Sequence, residues 1–235
     1  MFRGLKHAAL LLVPAVASAQ GTVTGQLTLE ERKGADHGDV RTAVVWLEPR
    51  GGVIVRRTEG RAATDGVIDM RGREFVPHVR IVRAGGVVEF PNKDPFRHNV
   101  FSNVEPGAFD LGLYPRGASR GVVFARPGVY PIYCNIHSKM VSFVVAVPTD
   151  WWAQPAEDGR FVLRDVPPGT YTLHAWHERA DDVTRVVTVS EGAPSDPSTG
   201  SGQAVRVTLD ARAYVPGPHL NKFGRPYSVI RADKY

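Results

Sequence analysis

Apolar and polar residues alternate over many short stretches of the chain, which is typical of half-buried β-strands. Gly, Pro, Asn and Asp separate these stretches as turn residues, and no segment has a strong helical period. The clearest alternating or apolar stretches are 21–29, 43–48, 87–90, 121–124, 128–133, 141–147, 161–163, 170–176, 183–189 and 204–209. The pattern predicts an all-β chain of Greek-key sandwiches.

Three further segments depart from simple alternation. Residues 75–82 alternate around Pro77, which lacks a backbone donor, so this stretch is predicted to be an edge strand. Residues 192–202 are rich in Gly, Ser and Pro and are predicted to form a mobile loop. Residues 211–235 have no period and are predicted to lie extended over a surface.

The first nineteen residues resemble an export signal. Arg3 and Lys6 precede an apolar segment at 8–16, and Ala17-Ser18-Ala19 has the form of a cleavage site. Neither this segment nor any later one is long enough to span a membrane. We therefore expect residues 1–19 to be removed, leaving a soluble protein in a bacterial periplasm.

The charge balance does not indicate a nucleic-acid partner. The 235 residues include 29 basic and 24 acidic ones, and loss of Arg3 and Lys6 leaves 27 against 24. Basic residues do not cluster with aromatic ones, as they do in nucleic-acid-binding surfaces. The mild excess predicts a solvated surface, with at most a weak bias towards an acidic partner.

A single cysteine stands out in a chain expected to be exported, because oxidising compartments usually pair cysteines in disulfides. Cys134 is followed three residues later by His137 and then, after three more, by Met140. A second imidazole is available from His98, at the end of a distant predicted strand. Thiolate, two imidazoles and a thioether form a ligand set that suits copper in both oxidation states. The sequence therefore predicts one copper ion.

Other interpretations of these residues are weaker. Cys134 could be a small buried apolar residue with incidental neighbours. A structural zinc site would use several cysteines, and nucleophilic catalysis would need an orienting partner for His137. No catalytic residue is assigned. The histidines expected not to bind metal are His78, His174, His177 and His219, and the tryptophans expected to serve packing are Trp151, Trp152 and Trp176.

Residues 53–147 resemble the cupredoxins, most closely the amicyanin and plastocyanin type, in the His98-Asn99 pair and the Cys-x-x-His-x-x-Met loop. The resemblance implies copper bound by His98, Cys134 and His137 with Met140 as the axial ligand. It also implies that Asn99 ties the two ligand segments together and that His137 is the exposed ligand through which electrons leave. Ile136 departs from the family, many members of which have proline there, and would loosen the loop or shift the potential.

Residues 158–176 resemble the carboxypeptidase regulatory-like domain, a small transthyretin-like sandwich. Its usual first strands correspond to residues 21–25 and 43–47, which here precede the copper domain. We therefore expect the copper domain to be inserted into this sandwich; alternatively, residues 21–50 add strands to the copper domain. The expected division is 1–19 signal, 20–50 first strands, 51–148 cupredoxin domain, 149–210 remaining sandwich and 211–235 tail.

Together these features predict an exported electron carrier rather than an enzyme, working with an unidentified redox protein partner. The combination is similar to that of methylamine-utilisation-type proteins, a label that does not establish a substrate. Two alternatives remain open: a periplasmic copper carrier or store, and a subunit of a copper oxidoreductase. The sequence does not indicate an oligomeric state.

Overall fold

The computed structural model describes residues 20–34, 37–51, 64–190 and 204–227. Within these ranges the chain consists of β-strands, with one short 3-10 turn at Val40–Thr42. The strands are β1 (Gly21–Glu30), β2 (Val44–Pro49), β3 (Thr64–Val67), β4 (Asp69–Arg71), β5 (Glu74–Val76), β6 (Val79–Arg83), β7 (Gly86–Pro91), β8 (His98–Ser102), β9 (Phe109–Tyr114), β10 (Ser119–Phe124), β11 (Gly128–Cys134), β12 (His137–Val147), β13 (Trp152–Ala153), β14 (Arg160–Val166), β15 (Gly169–His177), β16 (Ala180–Val189) and β17 (Val205–Asp210). The all-β prediction is confirmed.

Strands β3 to β12 form one sandwich, which we call the inserted sandwich. One of its sheets has the strand order β10-β7-β3, and the other has the order β6-β12-β11-β8-β9. Strands β4 and β5 form a small separate hairpin. The pairs β3–β7 and β6–β12 are parallel, whereas the remaining pairs are antiparallel.

The other strands form a second sandwich, which we call the outer sandwich. Its sheets have the orders β14-β1-β17 and β13-β2-β15-β16. Strand β1 therefore pairs with strands that follow the inserted sandwich in the chain, and β2 does the same with β13 and β15. This is the strand order that the predicted insertion requires. The exact domain boundaries and the regulatory-like resemblance stay predictions.

Period-two alternation divides the apolar side chains between two cores and a contact between the sandwiches. In β12, Val144 faces the core of the inserted sandwich, while Val145 faces the outer sandwich. In β2, Leu47 faces the outer core, while Val44 faces the inserted sandwich. The shared cluster consists of Val44, Val79, Ile81, Val145, Val147 and Trp176. Apolar burial therefore joins the two sandwiches.

Two sequence expectations need comment here. The predicted strand 75–82 is divided, because the chain leaves β5 after Val76 and resumes at Val79 beyond Pro77, but its edge position is confirmed, since β6 is the outermost strand of its sheet. Trp151 and Trp176 pack against apolar clusters as expected, whereas Trp152 is 41% exposed. Residues 1–19 and 192–202, predicted to be the signal and a loop, lie outside the described residues.

The described ranges contain no helix long and apolar enough to cross a membrane.

Candidate metal centre

A tight hairpin between β11 and β12 carries three of the four predicted ligands. Cys134 ends β11 and His137 begins β12, and the two are partners across the hairpin. The alternation of β11 buries Tyr130, Ile132 and Cys134 on one face, so the sulfur points into the core of the inserted sandwich. Hairpin geometry and strand period therefore place the thiol inside the core, directly beside His137, the first residue of β12.

His98 reaches the same point from β8, which lies next to β11 in the sheet. Its Nδ1 is 3.8 Å from Cys134 Sγ, and His137 Nδ1 is 3.5 Å from the same sulfur. One donor atom from each of the three side chains lies within 4.8 Å of the other two. Metal bonds of about 2.0–2.3 Å place two ligands of one ion roughly 3–4 Å apart, so this spacing suits a single ion.

Met140 lies in β12, where it shares the inward face with Ser142 and Val144. Its side chain is 1% exposed and belongs to the same apolar cluster as Cys134. The structure therefore buries the predicted thioether in the same core as the predicted thiolate. A thioether is the weak donor expected of an axial copper ligand.

A buried carboxylate orients His98. Asp94 Oδ2 lies 2.7 Å from His98 Nε2. The backbone N–H groups of Gly72 and Arg73 donate to the two Asp94 oxygens over 2.6 and 2.9 Å. The carboxylate favours a proton on Nε2 of the imidazole, which leaves the Nδ1 lone pair directed towards Cys134. Asp94 thereby selects the tautomer that a metal needs.

Asn99 joins the two segments that carry the ligands. Its Oδ1 accepts a hydrogen bond from the Asn135 N–H over 3.3 Å, and its Nδ2 donates to Asp110 Oδ1 over 2.6 Å. The first bond connects β8 to the hairpin, and the second fixes the amide against β9. This is the contact that the cupredoxin resemblance implied for Asn99.

Burial keeps both imidazoles neutral at ordinary pH. It lowers the pKa of His137 to about 4, helped by the nearby His98 and Arg73. Burial also lowers the pKa of His98, although Asp94 opposes the shift. Neutral imidazoles have free lone pairs and so are ready to bind a metal ion.

The thiol of Cys134 responds differently. Burial raises its pKa, although the backbone N–H groups of Asn99, Ile136 and His137 donate to the sulfur and lower it. The metal-free protein therefore holds a protonated thiol, and metal binding would release its proton. The three N–H donors are placed to stabilise the resulting thiolate.

The immediate surroundings of the histidines are aromatic. The ring of Phe96 lies 5.1 Å from that of His98 and 5.8 Å from that of His137, centre to centre. Cys134 and His98 are fully buried, whereas His137 is partly exposed. Among these three side chains, His137 alone connects the site with the surface.

The histidines expected not to bind metal lie outside this cluster. The partners of the first three are Glu178 for His78, Trp46 and Glu48 for His174, and Thr42 for His177. His219 differs, because its Nε2 lies 3.3 Å from the backbone oxygen of His137. It touches the turn from Cys134 to His137, which we call the metal loop, without belonging to the ligand cluster.

Sequence reasoning missed Asp94 and the contacts of the tail with the metal loop. Asp94 lies four residues before His98 in a polar loop, where a carboxylate is unremarkable. The tail contact with the loop is made by His219, Lys222 and Tyr227, which belong to a segment without any period. Neither feature had a sequence signal strong enough to identify its role.

A family model described as polysaccharide lyase family 4, domain II, matches residues 140–196. The matched stretch runs from within β12 to beyond β16, which is less than half of the chain. No curated protein matches the sequence.

Solved structures of copper proteins are similar to part of the chain. A Cu-containing nitrite reductase (NirK) from Thermus scotoductus is 25% identical, with 43% of this chain and 25% of that chain covered and a TM-score of 0.34. A purple cupredoxin from Nitrosopumilus maritimus is 24% identical, with 35% and 100% covered and a TM-score of 0.33. Amicyanin from Paracoccus versutus is 19% identical, with 38% and 85% covered and a TM-score of 0.34. The matched part thus spans only a quarter of the reductase.

Proposed function

We propose that this chain is a mononuclear type 1 copper protein that transfers single electrons. The observation that carries the proposal is the buried thiol of Cys134 within 3.8 Å of the Nδ1 atoms of both His98 and His137. One thiolate, two imidazoles and a thioether from Met140 make a donor set that suits both copper oxidation states. When bound, copper supplies a one-electron couple.

The surrounding residues fix the positions of the proposed copper ligands. Asp94 fixes the His98 imidazole, and Asn99 connects β8 to the hairpin that carries Cys134 and His137. Ligands held in this way by neighbouring strands have little freedom to rearrange. A site that barely rearranges between oxidation states favours rapid electron transfer.

The partly exposed His137 is the proposed point at which electrons enter and leave. The proposal includes an unidentified redox protein as partner and a periplasmic location after removal of residues 1–19. Assignment to the methylamine-utilisation type also belongs to this proposal, and it rests on the sequence resemblance alone.

Copper titration with visible and electron-paramagnetic spectroscopy tests the proposal. We expect one copper(II) ion per chain, an intense thiolate-to-copper band and narrow copper hyperfine splitting. His137→Ala should lose this signature. His78→Ala is the matched control, because His78 pairs with Glu178 outside the site, and it should keep the signature. Folded wild-type protein that binds copper without the band would contradict the proposal.

A further inference from the structure

The segment after β17 links the outer sandwich to the metal loop. Ala211 N–H donates to Glu30 O over 2.7 Å, and the Arg179 guanidinium lies 5.1 Å from the centre of the Tyr214 ring. Beyond this anchored start, residues 218–227 reach the hairpin that carries Cys134 and His137. We call residues 218–227 the strap.

The strap binds the backbone of the metal loop at two carbonyl groups. Tyr227 OH donates to Cys134 O over 2.6 Å, and His219 Nε2 lies 3.3 Å from His137 O. The two strap residues also contact each other, with Tyr227 OH 3.3 Å from His219 Nδ1. In addition, the His219 ring stacks on Tyr133, with centroids 4.4 Å apart. The strap therefore holds both ends of the two-residue turn.

The strap also binds the side chains that connect the ligand segments. Lys222 N–H donates to Asn135 Oδ1 over 2.9 Å, and Lys222 Nζ lies 2.6 Å from Asp110 Oδ2. The other oxygen of Asp110 accepts from Asn99, which in turn accepts from the Asn135 N–H. These bonds form a closed ring through β8, β9, the hairpin and the strap. Such a network restricts the loop more than any single bond could.

We propose that the strap is a positioning element of the metal loop: it fixes the conformation of Cys134 to His137 from outside the inserted sandwich. The strap follows β17, so the outer sandwich serves as its anchor. A short loop whose carbonyl groups are already bonded is preorganised for its ligand. The link to copper rests on the function proposed above, whereas the positioning of the loop does not.

Hydrogen exchange in the metal-free, full-length protein tests the positioning directly. The amide of Asn135 is the probe, because it donates to Asn99 within the network. Tyr227→Phe removes the hydroxyl that binds Cys134 O and contacts His219. We expect about tenfold faster exchange at Asn135, the effect of one lost hydrogen bond. Tyr214→Phe is the matched control in the same tail and should exchange like the wild type. A chain that ends at Gly217 should exchange faster still.

Copper-loaded protein provides a second measurement, the properties of the bound copper, which would not change if the strap only stabilised the fold. Tyr227→Phe should shift the reduction potential and the copper hyperfine splitting, whereas Tyr214→Phe should leave both unchanged. The proposal is overturned if Tyr227→Phe and the chain ending at Gly217 both match the wild type in Asn135 exchange. If the wild type lacks a blue-copper spectrum, the proposed function fails, and the exchange experiment still decides the role of the strap.

Discussion

The two sandwiches have similar layered architectures but different interiors. Among the described residues of the outer sandwich, the buried polar ones are Thr149 and His177, and the rest of the core is apolar. In the inserted sandwich and its loops the buried polar residues are more numerous: Asn92, Asp94, His98, Asn99, Ser102 and Ser142. Burying polar groups costs free energy unless they find partners, which Asn92, Asp94, His98 and Asn99 do, whereas the hydroxyls of Ser102 and Ser142 have none among the described residues.

Several of these buried polar groups form one hydrogen-bond network around the candidate metal site. Asn92 Oδ1 accepts a hydrogen bond from the Asp94 N–H, and Asp94 orients His98. Asn99 accepts a hydrogen bond from Asn135 in the hairpin that carries Cys134. The network therefore converges on one end of one sandwich, around the only cysteine. The outer sandwich has no comparable convergence within the residues that the structure describes. The comparison separates a sandwich that carries the candidate metal site from one whose core is almost entirely apolar.

The largest expected effect is the loss of the copper spectrum in Cys134→Ser. Serine cannot supply the thiolate that gives rise to the intense band. The fold should survive, because the backbone N–H groups that donate to the sulfur can donate to a hydroxyl instead. Visible absorption and circular dichroism of the copper-loaded variant check both statements. A persistent band would remove Cys134 from the site.

Truncating a core side chain in either sandwich should lower the free energy of unfolding by a similar amount, but only the truncation in the inserted sandwich should shift the visible copper band. Leu173 in the outer core and Ile132 in the inserted core are both fully buried, so replacing either with alanine should cost about 2–5 kcal/mol. Ile132→Ala should also shift the copper band, because Ile132 lies two residues before Cys134 in β11. Urea unfolding and visible spectra measure the two effects. An equal shift in Leu173→Ala would break the distinction between the sandwiches.

Asp94→Asn should weaken copper binding by about 10- to 100-fold, the usual effect of losing a group that orients a metal-binding histidine. Gly72 and Arg73 donate to different oxygens of the carboxylate, whereas an amide has one oxygen and so loses one acceptor position, which holds the His98 tautomer less firmly. Competition with a copper chelator measures the affinity. Asp158→Asn in the outer sandwich is the control, and an equal loss there would show that the effect is not local.

The smallest effect concerns pH and the outer sandwich. Burial lowers the pKa of His177 below 6.5, outweighing the charge of Glu178, the hydrogen bond to Asp39 and the charge of Glu31, while Arg179 adds to the lowering. Below about pH 6.5, His177 therefore binds a proton more readily in the unfolded chain than in the folded chain, and the free energy of unfolding decreases as the pH falls. His177→Gln should flatten this loss in metal-free protein. Urea unfolding over a pH series measures it, and an unchanged slope would contradict the assignment.

Local signals in the sequence predicted many of the strands and indicated the candidate ligands. Alternation marked β1 and β11, each of which buries one face on a core, and apolar runs marked β2 and β12, which bury residues on both faces. The spacing of Cys134, His137 and Met140 needed only a hairpin to bring the side chains together. The short strands β3, β4 and β13 were missed, since two to four residues are too few for a recognisable period, and the six-residue strand β9 was missed as well.

The sequence could not reveal interactions that depend on distant parts of the chain. The role of Asp94 in orienting His98 depends on the hairpin of β4 and β5, which supplies two backbone donors to the carboxylate. Tyr227 lies 93 positions from Cys134, and no pattern connects them. Single side chains that complete a site across such separations follow from the topology rather than from local periodicity.

X-ray absorption at the copper edge of the loaded wild-type protein tests the central claim most directly, because it reports the atoms bound to the metal. We predict one short bond to thiolate sulfur and two bonds to imidazole nitrogen, with the short sulfur bond absent in Cys134→Ser. A shell of oxygen and nitrogen alone in the wild type would contradict the claim that Cys134, His98 and His137 hold copper.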